Sequence, residues 1–403
     1  MEKNFSLENS IGKFFLKKKL YLRDKKRINK IIKNIYQNLD SKKDNFHTLS
    51  KKFILSCEKS NLKKFTKFNT VIIIGMGGSI LGAQTIYFFL KQKIKKNFIF
   101  LDNLDQLKIE KIKKEVNPKK SLFIIISKSG NTTETLINTN LINNKIDRKN
   151  TIIITEKKNN LLNVFAKNKK ILVINHKNYI GGRYSVLSEV GMIPAFFMGF
   201  KINGFRKNLL SCFESKKNLL LSESVIKLAH IHNSKKIKSI IFLNYAPQLN
   251  AFLNWCQQLM SESLGKKGKG ILPVVSSAPR DHHSLLQLYL DGPKDKLFYI
   301  FSLKLNKKLK INKNIFGKSF KFAENKDLSK VIISQKKALV HVLKKKNIPF
   351  REFKINKINQ EVLGELFSYF ILETALIAKL VGINPFNQPA VEEVKNLTKR
   401  FLA

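Results

Sequence analysis

Short, continuously apolar runs alternate with helical stretches over most of this chain. Val71–Ile74, Phe98–Leu101, Leu122–Ile126, Ile152–Ile154 and Ile171–Val173 form a first set, and Ile240–Leu243, Ile271–Val275 and Leu297–Phe301 form a second. Unbroken apolar runs of this length, separated by helices, predict strands of parallel sheets covered on both faces. The expected fold is α/β, with two doubly wound parallel-sheet domains joined near residues 201–225. Residues 1–65 are polar, rich in Lys and helical in period, which predicts an N-terminal helical arm ahead of domains at 66–205 and 206–403. In such sheets ligands sit beyond the carboxyl ends of the strands, and that is where candidate chemistry is sought.

One stretch permits a different reading. Val71–Leu90 carries no charge and is long enough to span a bilayer. It also contains Gly75, Gly77, Gly78 and Gly82 with Ser79, Gln84 and Thr85, so strand, glycine loop and buried helix describe it better.

Composition adds a globular chain of 403 residues with 43% hydrophobic residues, enough for two cores. Lys+Arg is 76 against Asp+Glu 28, a formal net charge of +48. The basic residues are scattered in short runs such as Lys17–Lys19, Lys157-Lys158 and Lys344–Lys346, among many Asn, Ile and Phe. This is a global usage bias, not a basic stripe interleaved with aromatics, so neither nucleic acid nor a membrane is the expected partner. A positive field would still draw an anionic substrate inward. Cys57, Cys212 and Cys256 are odd in number and far apart, which argues against a disulfide framework or a zinc site. Together with an N-terminus that lacks the apolar run of a signal peptide, they suit a reducing, cytoplasmic setting.

Ser127-Lys128-Ser129-Gly130-Asn131-Thr132-Thr133 runs from the predicted strand 122–126 into a helical stretch. Backbone N–H groups at a helix start favour an anion, and Ser127, Ser129, Thr132 and Thr133 add hydroxyl donors. A single Ser-x-Ser reads as a helix cap, but four hydroxyls in seven residues at a strand-to-helix switch read as a phosphate grip. Gly75-Met76-Gly77-Gly78-Ser79-Ile80-Leu81-Gly82 follows the preceding strand. The third glycine of a dinucleotide fingerprint would fall on Ile80, so close backbone approach to a ligand, with Ser79 as a polar contact, is the reading kept.

These two loops resemble the sugar isomerase (SIS) domain, a flavodoxin-like fold that binds phosphosugars. Three further segments narrow the resemblance to the glucose-6-phosphate isomerase family. They are Gly181-Gly182-Arg183-Tyr184-Ser185, then Glu262-Ser263-Leu264-Gly265-Lys266 with Asp281-His282-His283-Ser284, and Gln388-Pro389-Ala390-Val391-Glu392-Glu393-Val394-Lys395. Two positions depart from the family pattern: Ala390 stands for the usual Gly, and His282 for a common Gln.

The resemblance implies an aldose–ketose isomerase acting through a cis-enediolate on glucose 6-phosphate and fructose 6-phosphate, in glycolysis and gluconeogenesis. It implies Glu262 as the C–H base, Arg183 as the fork for the enediolate oxygen, and His283 with Lys395 in ring opening. Gly78, Ser79, Ser127, Lys128, Ser129, Thr132, Gly182 and Gln388 are the implied substrate contacts. It further implies a homodimer in which His283 reaches the neighbouring site. No cofactor and no metal are expected, since Glu-base chemistry needs neither and the seven histidines show no ligand spacing. The competing readings are an isomerase that also accepts mannose 6-phosphate, a phosphosugar-sensing regulator without the catalytic set, and a nucleic-acid binder motivated by charge alone.

Overall fold

The computed structural model describes residues 4–11, 18–305, 309–312 and 315–402. It contains two five-stranded sheets. The first is built from β2 (Thr70–Gly75), β3 (Asn97–Leu101), β4 (Ser121–Ile126), β5 (Thr151–Thr155) and β6 (Leu172–Asn175). They lie in the order β3-β2-β4-β5-β6 and every pair is parallel. Val71–Ile74 and Leu122–Ile126 are wholly buried, as expected of strands covered on both faces.

The second sheet joins β7 (Ser239–Asn244), β8 (Leu272–Ser277), β9 (Lys296–Leu303) and β10 (Phe350–Ile355) to β1 (Phe5–Ser10), in the order β1-β10-β9-β7-β8. Only β1 runs antiparallel. In both sheets the chain crosses from one side of a central strand to the other, at β2/β4 and at β7/β9. Each crossing opens a crevice at the carboxyl ends.

Two strands differ from the sequence expectation. The N-terminal arm has its helix, Lys18–Gln37, but it begins as strand β1, pairing Leu7 with Phe353. Strand β10, Phe-Arg-Glu-Phe-Lys-Ile, is broken by charges that look like solvated positions. Arg351 is nonetheless fully buried. Its guanidinium donates to both oxygens of Glu373 (2.6 and 3.0 Å), to the Tyr369 hydroxyl (2.9 Å) and to Asn9 Oδ1 (2.8 Å). A buried charge is tolerated when its partners satisfy it, and here they come from β1 and from the helix Gln360–Val381.

The helix Gln360–Val381 is buried along nearly its whole length, and the helix Lys18–Gln37 packs against it and against the helix Ser215–Ser234, burying Ile28, Ile32 and Ile35. Its C-terminal carbonyls are met by cations: Arg27 donates to Leu380 O (3.3 Å) and Lys379 O (3.1 Å), and Lys269 donates to Val381 O (2.7 Å). Gly382, at φ +75°, then turns the chain into the segment 383–390 that carries Gln388. One continuous apolar core links the two sheets, with the helix Leu81–Leu90 packed on the helix Asn250–Leu264. Among the described residues no helix is long and apolar enough to cross a membrane; Val71–Leu90 is β2, a glycine turn and a buried helix.

Candidate active site

The two ligand loops leave adjacent strands at the first sheet's crossing point. After β4, Ser127 is buried, and its Oγ lies 2.8 Å from Thr132 Oγ1 and accepts the Gly130 N–H at 3.1 Å. Ser129 is exposed, and its Oγ accepts the Asn131 N–H at 3.2 Å. Thr132 stands at the N-cap of the helix Thr133–Leu141 with no side-chain cap bond, so its hydroxyl faces the other loop hydroxyls. Lys128 donates to Asn178 O (2.8 Å) and sits 3.5 Å from Glu156, tying this loop to the segment entering Gly181. Burial lowers the Lys128 ammonium from its usual pKa, against the pull of Glu156.

Gly130 has φ +70°, and a Cβ there would lie 2.1 Å from Asn160 Oδ1, which caps the helix Leu161–Lys169. Gly130→Ala is therefore expected to distort the loop and raise KM for a phosphosugar about tenfold or more, with a smaller change in kcat. Steady-state kinetics on the purified variant would show it; an unchanged KM would mean the loop does not hold the phosphate.

The glycine loop after β2 meets the Gly181–Arg183 turn at backbone distance. A Cβ on Gly78 would lie 2.3 Å from the Gly182 carbonyl carbon and 2.6 Å from Arg183 N. Ser79, half-buried at the end of this turn, donates its N–H to Met76 O at 3.0 Å. The glycine at 78 thus lets the two loops touch and brings Arg183 beneath them, whereas a Cβ at 182 would meet open space.

Arg183 is almost wholly buried, and all of its N–H directions are engaged. Nε donates to Ser263 Oγ (3.0 Å), and Nη1 donates to Glu262 Oε2 (2.9 Å) and Gln388 Oε1 (2.7 Å). Nη2 donates to the carbonyls of Pro385 and Asn387 (3.1 Å for the latter). Glu262 comes from the helix Asn250–Leu264, whose Phe252, Trp255, Cys256 and Leu259 face the core. Gln258 and Glu262 flank that stripe, half-buried, one turn apart. The other oxygen of Glu262 accepts from Gln258 Nε2 at 2.8 Å.

A carboxylate with both oxygens oriented by donors, beside a permanent cation in a sheltered place, is suited to move a proton while charge develops on a ligand oxygen. Such an oxygen must displace one of the acceptors on Arg183. Gln388, exposed on its loop, is the acceptor that can leave most readily.

Three neighbours of this group were not singled out in the sequence. Gln258 stands one helical turn before Glu262, a spacing that predicts contact once the helix is assigned. Its Oε1 is buried without a hydrogen-bond partner in the structure. Tyr184 donates to Pro385 O (3.2 Å) and lies 2.8 Å from Ser263 Oγ, buttressing Arg183. Lys266 lies in a cleft of about 750 Å³ lined also by Glu262, Asn384, Asn387 and Gln388. Its ammonium donates to Asn384 O (2.6 Å), and burial together with the Arg183 charge lowers its pKa to about 8.

Two further sequence-derived candidates lie on exposed elements. His283 is exposed on the turn Arg280–His283 after β8, and among the described residues no hydrogen bond or ion pair joins it to Arg183, Glu262 or Gln388. Lys395 is exposed on the terminal helix Val391–Leu402. Among the described residues no cluster of His, Cys, Asp and Glu is arranged to hold a metal ion.

Doubly wound sheets with a hydroxyl loop at one crossing point define the phosphosugar-binding α/β class. The phosphoglucose isomerase family model matches residues 18–271, a span that holds both loops, Arg183 and Glu262. The chain belongs to that family. It is 33% identical over 391 residues to a glucose-6-phosphate isomerase of Methanocaldococcus jannaschii, covering 93% of this chain and 95% of the relative. It is 30% identical over 353 residues to the Campylobacter jejuni enzyme of the same name, covering 84% and 86%. Among solved structures, a glucose-6-phosphate isomerase from Chlamydia trachomatis superposes with TM-score 0.78 at 17% identity, over 99% of this chain and 88% of that one. The C-terminal domain of a glucosamine-fructose-6-phosphate aminotransferase from Francisella tularensis shares the fold more loosely, at TM-score 0.53 and 14% identity, over 89% and 97%. The fold is therefore common to proteins of different chemistry, and the side chains must select the reaction.

Proposed function

We propose that this chain interconverts glucose 6-phosphate and fructose 6-phosphate in the cytoplasm, as a step of glycolysis and gluconeogenesis. The observation that carries the reading is the contact of Glu262 with Arg183 under the two glycine turns, next to the hydroxyl loop at 127–132. The phosphate binds Ser127, Ser129 and Thr132, with the Gly78–Ser79 backbone close to the sugar. For the closed sugar, the C1–O5 bond breaks while O5 gains a proton and the C1 hydroxyl loses one. His283 and Lys395 exchange these protons.

Glu262 then takes the C2 proton. The C2–H electron pair becomes the C1=C2 bond, and the carbonyl pair moves onto O1. Arg183, relieved of Gln388, donates to the resulting enediolate oxygen. Transfer of the O2 proton to O1 and return of the proton from Glu262 to C1 leave the C2 ketone. Gln258 orients the Glu262 carboxylate, and its unpartnered Oε1 is an acceptor for a sugar hydroxyl.

The working form is a homodimer, in which His283 of the partner subunit completes each site. Two features support this: the exposed place of His283, and the apolar row Val394, Leu397 and Phe401 left open on the terminal helix. The test is an assay of glucose 6-phosphate conversion with mixed chains. Glu262→Gln and His283→Ala homodimers are expected to be nearly inactive. Refolding them together restores about a quarter of wild-type activity, because half of the dimers are mixed and each mixed dimer keeps one intact site. No recovery on mixing would remove the shared site, and inactive wild-type protein would remove the function.

A further inference from the structure

The turn that carries His283 is held twice by the two residues just before it, through contacts with two different strand ends. Asp281 accepts from Ser276 Oγ (3.0 Å) and Ser277 N (2.7 Å) at the end of β8. His282 Nε2 lies 2.8 Å from the hydroxyl of Tyr245, the first residue after β7, and the two rings meet edge to face at 5.5 Å. Tyr245 is itself buried, and its N–H extends the β7/β9 ladder by donating to Phe301 O at 2.9 Å. The anchor therefore belongs to the hydrogen-bonded centre of the second sheet, at its own crossing point.

We infer that Tyr245 and His282 form a positioning pair that fixes the His283 imidazole for ring opening, and that His282 takes no part in proton transfer. The inference rests on the ring-opening reading of His283. Two adjacent histidines offer two candidates, and the geometry separates them. His282 is half-buried with Nε2 spent on Tyr245, whereas His283 is exposed. Burial raises the Tyr245 phenol and lowers the His282 imidazole from their ordinary values. The phenol thus keeps its proton and donates it to a neutral ring nitrogen. A catalytic imidazole needs reach and a defined aim, and small misplacements are costly. Without the pair, the turn would keep its Asp281 anchor but His283 would swing about it.

The test compares a substrate that must open with one that cannot close. Turnover of glucose 6-phosphate is measured beside solvent-deuterium exchange into 5-deoxyfructose 6-phosphate, which lacks the hydroxyl needed for a furanose. Tyr245→Phe and His282→Leu are expected to lower kcat on glucose 6-phosphate about tenfold, leaving KM and open-chain exchange within about twofold. His282→Gln keeps an acceptor for the Tyr245 hydroxyl and is expected to restore wild-type turnover. His283→Ala serves as the reference and should lose cyclic turnover selectively. If it does so while Tyr245→Phe and His282→Leu stay at wild-type levels, the positioning role is wrong and the ring-opening reading stands. If His283→Ala affects both substrates equally, the ring-opening reading fails and the inference fails with it. Equal loss of both activities in Tyr245→Phe would mark the pair as merely structural and overturn the inference.

Discussion

Glu262→Gln is expected to lower kcat about 10³-fold with KM nearly unchanged. The substitution keeps the volume and one acceptor oxygen, so the side chain still meets Arg183 or Gln258. What it removes is the ability to accept a proton from carbon. General-base contributions fall at about 10²–10⁴ in rate, and a weakly acidic C–H places the demand toward the upper part of that range. Some strain follows, because the new amide NH₂ faces a donor on one side, either Arg183 Nη1 or Gln258 Nε2. The measurement is twofold: steady-state conversion, and exchange of the C2 proton with deuterated solvent. Phosphosugar binding with no exchange agrees with the base role. Retained exchange would assign the base elsewhere.

Arg183→Lys is expected to cost both activity and stability, which distinguishes it from the Glu262 variant. An ammonium carries one charge but cannot reproduce a planar fork that reaches five acceptors in two chain segments. In the turnover, removal of one stabilising donor for an oxyanion lowers kcat about 10²–10³-fold. In the fold, Glu262 loses its guanidinium donor and keeps only Gln258, the carbonyl of Asn387 loses its Arg183 donor, and that of Pro385 keeps only the Tyr184 hydroxyl. Losing hydrogen bonds from a buried charge to these acceptors costs about 1.5–3 kcal/mol. Urea unfolding of the variant should show a lower midpoint with an unchanged slope. Wild-type stability would mean that the 383–390 segment does not depend on Arg183. Wild-type turnover would remove it from the enediolate step.

The two effects differ because Glu262 is half-exposed at the cleft and Arg183 lies beneath it. Glu262 is built for chemistry on a ligand. Arg183 serves the ligand and the fold together, since it is the point at which the Gly181–Arg183 turn, the helix 250–264 and the segment 383–390 meet. Its donors are saturated in the absence of ligand, so substrate binding exchanges one acceptor for another and leaves no charge bare. Such an exchange limits the desolvation cost of binding near a buried cation.

Much of this protein was legible in its sequence. Eight of the strands are apolar runs; in the central ones the run is unbroken because a parallel strand covered on both faces has no solvated side to encode, while the edge strands β6 and β8 expose Val173 and Leu272. The loops at 75–79 and 127–132 were legible for a related reason: they follow such runs directly, and their composition is local. The resemblance named Arg183, Glu262, His283, Gln388 and Lys395 by pattern, and the structure brings the first, second and fourth of these into contact.

Tertiary structure decided the rest. Strand β10 is hidden in the sequence because Arg351 and Glu352 look solvated, and only Glu373, Tyr369 and Asn9, distant in the chain, make the burial of Arg351 tolerable. Strand β1 is a polar segment that becomes a strand because β10 leaves an open edge for it. Gln258 acquires meaning only when a helix stacks it one turn from Glu262. His282 and His283 are alike as letters, and the reach of Tyr245 from another strand tells them apart. Apolar periodicity is a local property and can be read locally. The environment of a buried charge or an imidazole is set by partners on other elements, tens to hundreds of residues away, and it exists only once the chain has folded.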